Sequence, residues 1–170
     1  MKLNEYIKNV PNFPKDGIQF KDITPLLEDG DAFREAIDEL TTWASSLGAT
    51  KVVGPDARGF ILGCPVAYAL KTGFVPVRKP GKLPRETISQ SYELEYGSNT
   101  LCMHKDALKK GDKVVIIDDL LATGGTVVAA INLCEKLGAE VMGVGVLIEL
   151  SELKGREFIG NYNIKSLISY

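Results

Sequence analysis

Two adjacent carboxylates, Asp118 and Asp119, stand just before a lysine-free loop of small and hydroxyl-bearing residues, Ala122-Thr123-Gly124-Gly125-Thr126. Paired acids in that position can accept hydrogen bonds from two neighbouring sugar hydroxyls. A loop that opens a helix presents unpaired N–H groups and the positive end of the helix dipole, and so binds phosphate. Gly124 and Gly125 let a phosphate approach the main chain closely, and Thr123 and Thr126 add hydroxyl donors. The pattern is neither the Walker loop, which needs Gly-Lys-Ser/Thr, nor the dinucleotide Gly-x-Gly-x-x-Gly. An acid pair suited to a diol, beside a loop suited to a phosphate, points to a ribose 5-phosphate. An ordinary strand-to-helix turn would account for the Gly-Gly alone, but poorly for the Asp-Asp in front of it.

The cations come earlier in the chain. Between Lys71 and Arg85 stand Lys71, Arg78, Lys79, Lys82 and Arg85 with no acid among them, and Pro80, Gly81 and Pro84 keep the segment irregular. Such a run is either a solvated loop or a site for a polyanion. Arg78 and Lys79 directly follow a predicted strand, and Arg58, in Pro55-Asp56-Ala57-Arg58-Gly59, follows the strand before it. In an open parallel sheet ligands bind at strand C-terminal ends, where clustered cations would suit a pyrophosphate. Near the N-terminus a Pro/Gly-rich loop holds Phe13 and Phe20. It is either a surface loop pinned by aromatics or a hood over a flat ligand, with Phe20 stacked on a base. The single histidine, His104, stands two residues from Cys102, so the two would share a face of a strand. A nucleophilic pair is conceivable there, although chance spacing in a strand is commoner, and one histidine with scattered cysteines makes no zinc set.

These groups need a frame that brings them together. Val114–Ile117 is an apolar, β-branched run and reads as a strand buried on both faces. Val127, Ala130, Ile131, Cys134 and Leu137 recur at helical spacing, and Gly138 stops the helix. Upstream, Val10 to Gly17 fits neither helix nor central strand, Ile18 to Ile23 is extended, and Thr24-Pro25 suits an N-cap and first helical position. A helical stripe of Phe33, Ala36, Ile37, Leu40, Ala44 and Leu47 ends at Gly48. Lys51–Gly54 reads as a strand, Phe60–Leu70 as a buried helix and Phe74–Val77 as a strand. Thr87 to Lys105 reads as a loosely packed hairpin turning at Gly97-Ser98, either decoration or a lid. A strand over Val141–Ile148, a short polar helix over Ser151–Phe158 and a strand over Ile164–Tyr170 complete the chain. This alternation predicts an α/β domain with a mostly parallel sheet flanked by helices on both faces.

Composition bounds the rest. At 170 residues one domain, 1–170, is expected, with 45% hydrophobic and 25% charged residues as in a globular protein. A net charge of −2 gives no general field for nucleic acid or a membrane surface. No apolar run reaches the roughly 18–20 residues of a bilayer span, and the start of the chain has no signal-peptide core. Cys64, Cys102 and Cys134, odd in number and widely spaced, make no disulfide framework, so a reducing cytoplasm is expected.

Val114–Thr126 closely resembles the phosphoribosyl-diphosphate (PRPP) binding motif of the type I phosphoribosyltransferases. Other stretches, in chain order, resemble the adenine phosphoribosyltransferase branch of that family: Asn12–Leu27, Asp56–Phe60, Arg78–Pro84, Tyr92-Glu-Leu-Glu-Tyr-Gly97 and Leu153–Glu157. The resemblance implies the type I fold with an N-terminal hood over residues 1–30 and a flexible hairpin flap over residues 85–105. It implies transfer of the phosphoribosyl group of PRPP to adenine, giving AMP and pyrophosphate, by a homodimer. Magnesium would be held mainly by substrate, with no dedicated metal ligands in the protein. Carried onto this sequence, Ala122, Thr123, Gly124, Gly125 and Thr126 would cradle the 5-phosphate, and Asp118 and Asp119 would hold the ribose hydroxyls. Arg58, with the backbone of Asp56 and Ala57, would bind pyrophosphate. Arg78, Lys79 and Lys82 would add positive charge there, in part across a dimer interface. Phe20 and Leu120 would sandwich adenine, the backbone around Gln19 and Lys21 would read its edge, and Glu95 would manage its proton. Lys21 stands where arginine is frequent in the family, and Pro80 where a basic residue often stands, which removes one phosphate contact. A xanthine, hypoxanthine or guanine transferase is the neighbouring enzyme alternative. A PRPP-sensing regulator is another, but such proteins add a DNA-binding module, for which this acidic chain has no spare segment.

Overall fold

The computed structural model describes residues 1–94 and 97–170. Five strands form one sheet in the order β4-β3-β7-β8-β9, every neighbouring pair parallel. They are β3 (Lys51–Pro55), β4 (Gly73–Val77), β7 (Lys113–Leu121), β8 (Glu140–Glu149) and β9 (Ile164–Ser169). The central strands are apolar on both faces because helices cover both. α2 (Gly30–Ser46) and α3 (Arg58–Leu70) pack Leu40, Ala44, Leu62 and Val66 against Val52, Val115 and Ile117 on one side. On the other, α4 (Gly125–Lys136) packs Val127, Ala130, Ile131 and Cys134 against Val53, Val114 and Ile116. Burying each such aliphatic side chain contributes about 1.5–3 kcal/mol.

The chain moves from β3 outward to β4, then returns to β7 on the other flank of β3 and continues to β8 and β9. The winding therefore reverses between β3 and β7, and the crevice outside their C-terminal ends is where an open α/β sheet binds ligands. The loop carrying Asp56 and Arg58 leaves β3, and Asp118 and Asp119 lie in the last turns of β7.

Two antiparallel ribbons flank this crevice. β1 (Lys8–Pro11) pairs with β2 (Gln19–Asp22), and β5 (Thr87–Leu94) pairs with β6 (Gly97–His104). Two expectations change here. Gly97 and Ser98 do not make the second ribbon's turn, because they pair with Leu94 and Glu93 in the ladder. Nor is its base loosely packed, because Leu101, Cys102, Met103 and His104 are buried and Lys136 of α4 donates to the Ser89 carbonyl at 2.9 Å. Leu108 and Met103 sit in the same apolar cluster as α4, which explains the packing. The N-cap is also displaced: Thr24 is the first residue of α1 (Thr24–Glu28), and the Asp22 carboxylate accepts its N–H at 2.9 Å. The polar helix expected over 151–158 is a 3-10 turn, Ser151–Leu153, followed by α5 (Gly155–Ile159), with left-handed Lys154 between them.

Candidate active site

β7 runs four residues beyond its apolar stretch, so the acid pair is held by strand ladder rather than by a loop. The loop that follows is short, because Gly125 and Thr126 already belong to α4. Gly124 caps that helix with φ +94°, the left-handed region that favours glycine, and no described side chain caps the first turn. Its leading N–H groups are therefore open to a ligand. The two glycines also serve protein neighbours. A Cβ on Gly124 would stand 3.1 Å from the Gly155 carbonyl oxygen and 3.2 Å from a Phe158 ring carbon. A Cβ on Gly125 would stand 2.9 Å from the Tyr92 ring. On the far side, a Cβ on Gly155 would collide with the Ala122 carbonyl oxygen. The loop is thus gripped between α5 and a tyrosine of the β5–β6 ribbon.

Asp119 is buried, and its Oδ2 lies 2.7 Å from Nε of Arg58. Asp118 Oδ1 accepts the Asp119 main-chain N–H at 2.8 Å. Burial, and behind it the neighbouring Asp119 carboxylate, push Asp118 well above the usual carboxylate range. Both acids, Arg58, Leu120, Tyr92, Glu93 and the loop from Ala122 to Thr126 line a cavity of about 250 Å³. The sequence-derived phosphate loop and diol acids are therefore brought together.

A second cavity, of about 360 Å³, is lined by Asp56, Ala57, Arg78, Lys79 and Lys82, and shares Tyr92 and Thr126 with the first. Three residues of the cationic run, Arg78, Lys79 and Lys82, line this cavity beside the β3 end, with Lys79 and Lys82 exposed. Arg78 Nε lies 2.9 Å from Asp56 Oδ2, and the Asp56–Ala57 peptide is cis. The two arginines expected at a pyrophosphate each meet a carboxylate of the protein through Nε, which leaves further guanidinium N–H donors for a polyanion.

The base-recognition candidates are less closely gathered. Phe20 lies under the Arg58 guanidinium, 5.6 Å from ring centroid to Cζ, and Phe13 meets it edge-on at 5.2 Å. Leu120 lines the first cavity. The Gln19 and Lys21 side chains turn to Asn9, which donates to Gln19 at 2.8 Å and accepts from Lys21 at 3.0 Å. The Lys21 ammonium also sits 4.3 Å above the Tyr170 ring. That leaves the main chain of β2, whose only partner among the described residues is β1, to present donors and acceptors from its open edge. Glu95 lies outside the described residues. His104 is buried and accepts the Arg85 N–H at 3.4 Å, a bond that ties down the ribbon base and argues for structure over nucleophilic chemistry.

Sequence reasoning missed Tyr92 and Gly155 as parts of the site. Tyr92 carried a signal only through its place in the Tyr92–Gly97 stretch, and Gly155 only through Leu153–Glu157.

The phosphoribosyl transferase domain family matches residues 26–168. Adenine phosphoribosyltransferase from Thermoanaerobacter pseudethanolicus is 50% identical, with 99% of this chain and 98% of that chain covered at a TM-score of 0.96. The Giardia lamblia enzyme, solved with 9-deazaadenine, is 40% identical over 99% of this chain and 96% of its own, at 0.93. The Saccharomyces cerevisiae enzyme, solved with an imino-altritol bisphosphate and adenine, is 38% identical over 97% of this chain and 96% of its own, at 0.92. The match spans the sheet, both ribbons and the loop that follows Asp118 and Asp119, and the chain belongs to the phosphoribosyltransferase family, among its adenine phosphoribosyltransferases.

Proposed function

We propose that this chain carries out purine salvage by moving the phosphoribosyl group of PRPP onto adenine, releasing AMP and pyrophosphate. The observation that carries the reading is the juxtaposition at the β3–β7 switch point: an oxygen-donor acid pair, an uncapped helix start and two arginines around adjoining cavities. The likeness to enzymes solved with adenine and 9-deazaadenine supports adenine as the base.

The chemistry breaks the bond from the anomeric carbon to pyrophosphate and forms one to a ring nitrogen of the base, which loses its proton. The sugar gains oxocarbenium character on the way, as in glycoside cleavage. No covalent nucleophile is needed; the protein positions the partners, stabilises the leaving charge and excludes water. Ala122 to Thr126 anchor the 5-phosphate. Asp118 and Asp119 take the ribose hydroxyls as Arg58 turns from Asp119 to the leaving group, with Asp56 and Ala57 main chain beside it. Arg78, Lys79 and Lys82 add charge. Phe20 and Leu120 enclose adenine, the β2 edge around Gln19 and Lys21 reads it, and Glu95 takes the proton. The N-terminal segment, 1–30, acts as hood and the ribbon within 85–105 as flap.

Among the described residues no group of three His, Cys, Asp or Glu side chains could cage a metal, while the donors at the β7 end are carboxylate oxygens. A magnesium ion would be held mainly by PRPP, and the carboxylates of Asp118 and Asp119 are the hard oxygen groups it would meet in this cavity. Bound there, magnesium would supply charge screening for the leaving pyrophosphate. A homodimer is favoured by the exposed apolar residues Ile61 and Tyr68 on α3, the helix that starts at Arg58. Three free thiols suit the cytoplasm.

The test is pyrophosphate release with PRPP and each purine base in turn. Adenine should far exceed guanine, hypoxanthine and xanthine; the reverse order overturns the choice of base. In Glu95→Ala turnover should fall by at least 10²-fold, and unchanged turnover removes the proton role.

A further inference from the structure

Tyr92 projects from β5 between the two cavities and lines both. Its ring lies on Gly125, so the ribbon reaches the first turn of α4 through this side chain. Its hydroxyl oxygen accepts from Thr126 Oγ1 at 3.2 Å and, at the longer distance of 3.5 Å, from Asn99 Nδ2. A tyrosine hydroxyl has one hydrogen of its own, and both contacts use the oxygen as acceptor. The hydrogen is thus left for a further acceptor on the side of the cavity formed by Ala122–Thr126, with its main-chain N–H groups and threonine hydroxyls, while the carboxylates of Glu93, Asp118 and Asp119 line the rest. An anion is the complement of such a donor set.

We propose that Tyr92 is a substrate contact supplied by the ribbon: its hydroxyl donates to the phosphate seated on Ala122–Thr126, so the phosphorylated sugar, and not only the base, holds the ribbon down. The proposal rests on the assignment of that loop to a sugar phosphate. It gives Tyr92 a role distinct from Glu95, and makes Gly125 a residue that admits the ring as much as the ligand.

The experiment is calorimetric titration of the full chain with ribose 5-phosphate and, separately, with inorganic pyrophosphate, for wild type, Tyr92→Phe, Thr126→Ala and the double variant. Tyr92→Phe keeps the ring on Gly125, so its melting temperature should match wild type. Its affinity for ribose 5-phosphate should drop about tenfold, the scale of one hydrogen bond to a charged group, with pyrophosphate binding unchanged. Because the two hydroxyls touch, the double variant should lose less than the sum of the single losses but clearly more than Thr126→Ala alone. Equal ribose 5-phosphate affinity in wild type and Tyr92→Phe overturns the proposal. A Tyr92→Phe loss that vanishes in the Thr126→Ala background overturns the direct contact, because Tyr92 would then only aim Thr126. A wild-type protein that ignores ribose 5-phosphate overturns the loop assignment and this proposal together, whereas wild type and Tyr92→Phe binding it equally well overturns the role of Tyr92 and leaves the loop assignment standing.

Discussion

Asp118 keeps a cost that function explains. Its carboxyl is pushed well above the ordinary range by burial and by Asp119, with Arg58 only partly offsetting the repulsion. For an acid, a raised folded-state value means that the folded protein holds the proton more tightly than the unfolded chain. The ionised form is therefore penalised, and stability falls as pH climbs from the ordinary Asp range through the raised value. Asp118→Asn removes the penalty while its amide oxygen can still accept the Asp119 N–H. The ligand-free variant should melt several degrees higher at pH 8, by about 2–4 °C for each kcal/mol recovered, and about the same at pH 4. Ribose 5-phosphate affinity should fall by at least tenfold at pH 8, where the carboxylate can take the ribose hydroxyls. A variant that melts lower at pH 8 would contradict the assignment of strain. Residue types alone marked this acid pair and the loop after it as candidates for a diol and a phosphate, and the structure brings the two around one cavity. The residue types did not show that Arg58, expected at pyrophosphate, rests on Asp119, because residues 61 positions apart in sequence meet only through the β3–β7 pairing.

At the level of elements, the strand-to-helix unit from β7 to α4 was legible because its signals are local: an apolar run, glycine, then helical spacing. What holds the unit was not. α5 lies behind the loop, and its first residue, Gly155, has no room for a side chain against Ala122 and Leu121. Gly155→Ala should push the loop aside, destabilise the protein by about 1–3 kcal/mol and weaken ribose 5-phosphate binding several-fold, although Gly155 is not assigned to the ligand. Wild-type affinity and melting temperature would show that the loop stands without α5. α5 is itself pinned by Glu149, whose carboxylate accepts from Arg156 at 2.8 Å and from Ser166 at 2.9 Å. These bonds hold Glu149 below its usual value. The stability they give is full above the ordinary glutamate range and is lost as pH falls through the lowered value. Glu149→Gln should therefore be less stable than wild type at pH 7, with the gap narrowing as both are acidified below about pH 4.5, as followed by thermal melts. The hairpin turn was misread for a related reason. Gly97 signals a turn locally, yet the ladder continues through it to Leu94.

The whole molecule gathers its chemistry at one reversal of winding, and α3 connects that crevice to an unpartnered surface. α3 starts at Arg58 and carries Ile61, Cys64 and Tyr68 on its outer side, with Tyr68 87% exposed. Spacing of three and four residues puts these on one helix face, the face on which we place the proposed homodimer contact. A second copy seated there would lie within one helical turn of Arg58 and close to the β3-end loop. Charge inserted into the face should then split the assembly and impair the site together. On the proposed homodimer, wild type is expected to sediment as a dimer and Ile61→Glu/Tyr68→Glu as a monomer. The double variant's kcat/KM for PRPP should fall at least tenfold while its circular dichroism spectrum is unchanged, because both side chains already face outward and the fold does not need them. A monomeric wild type would remove the premise. A dimer that survives both charges would move the interface elsewhere, and a fully active monomer would show that each chain completes its own pyrophosphate site with Arg78, Lys79 and Lys82.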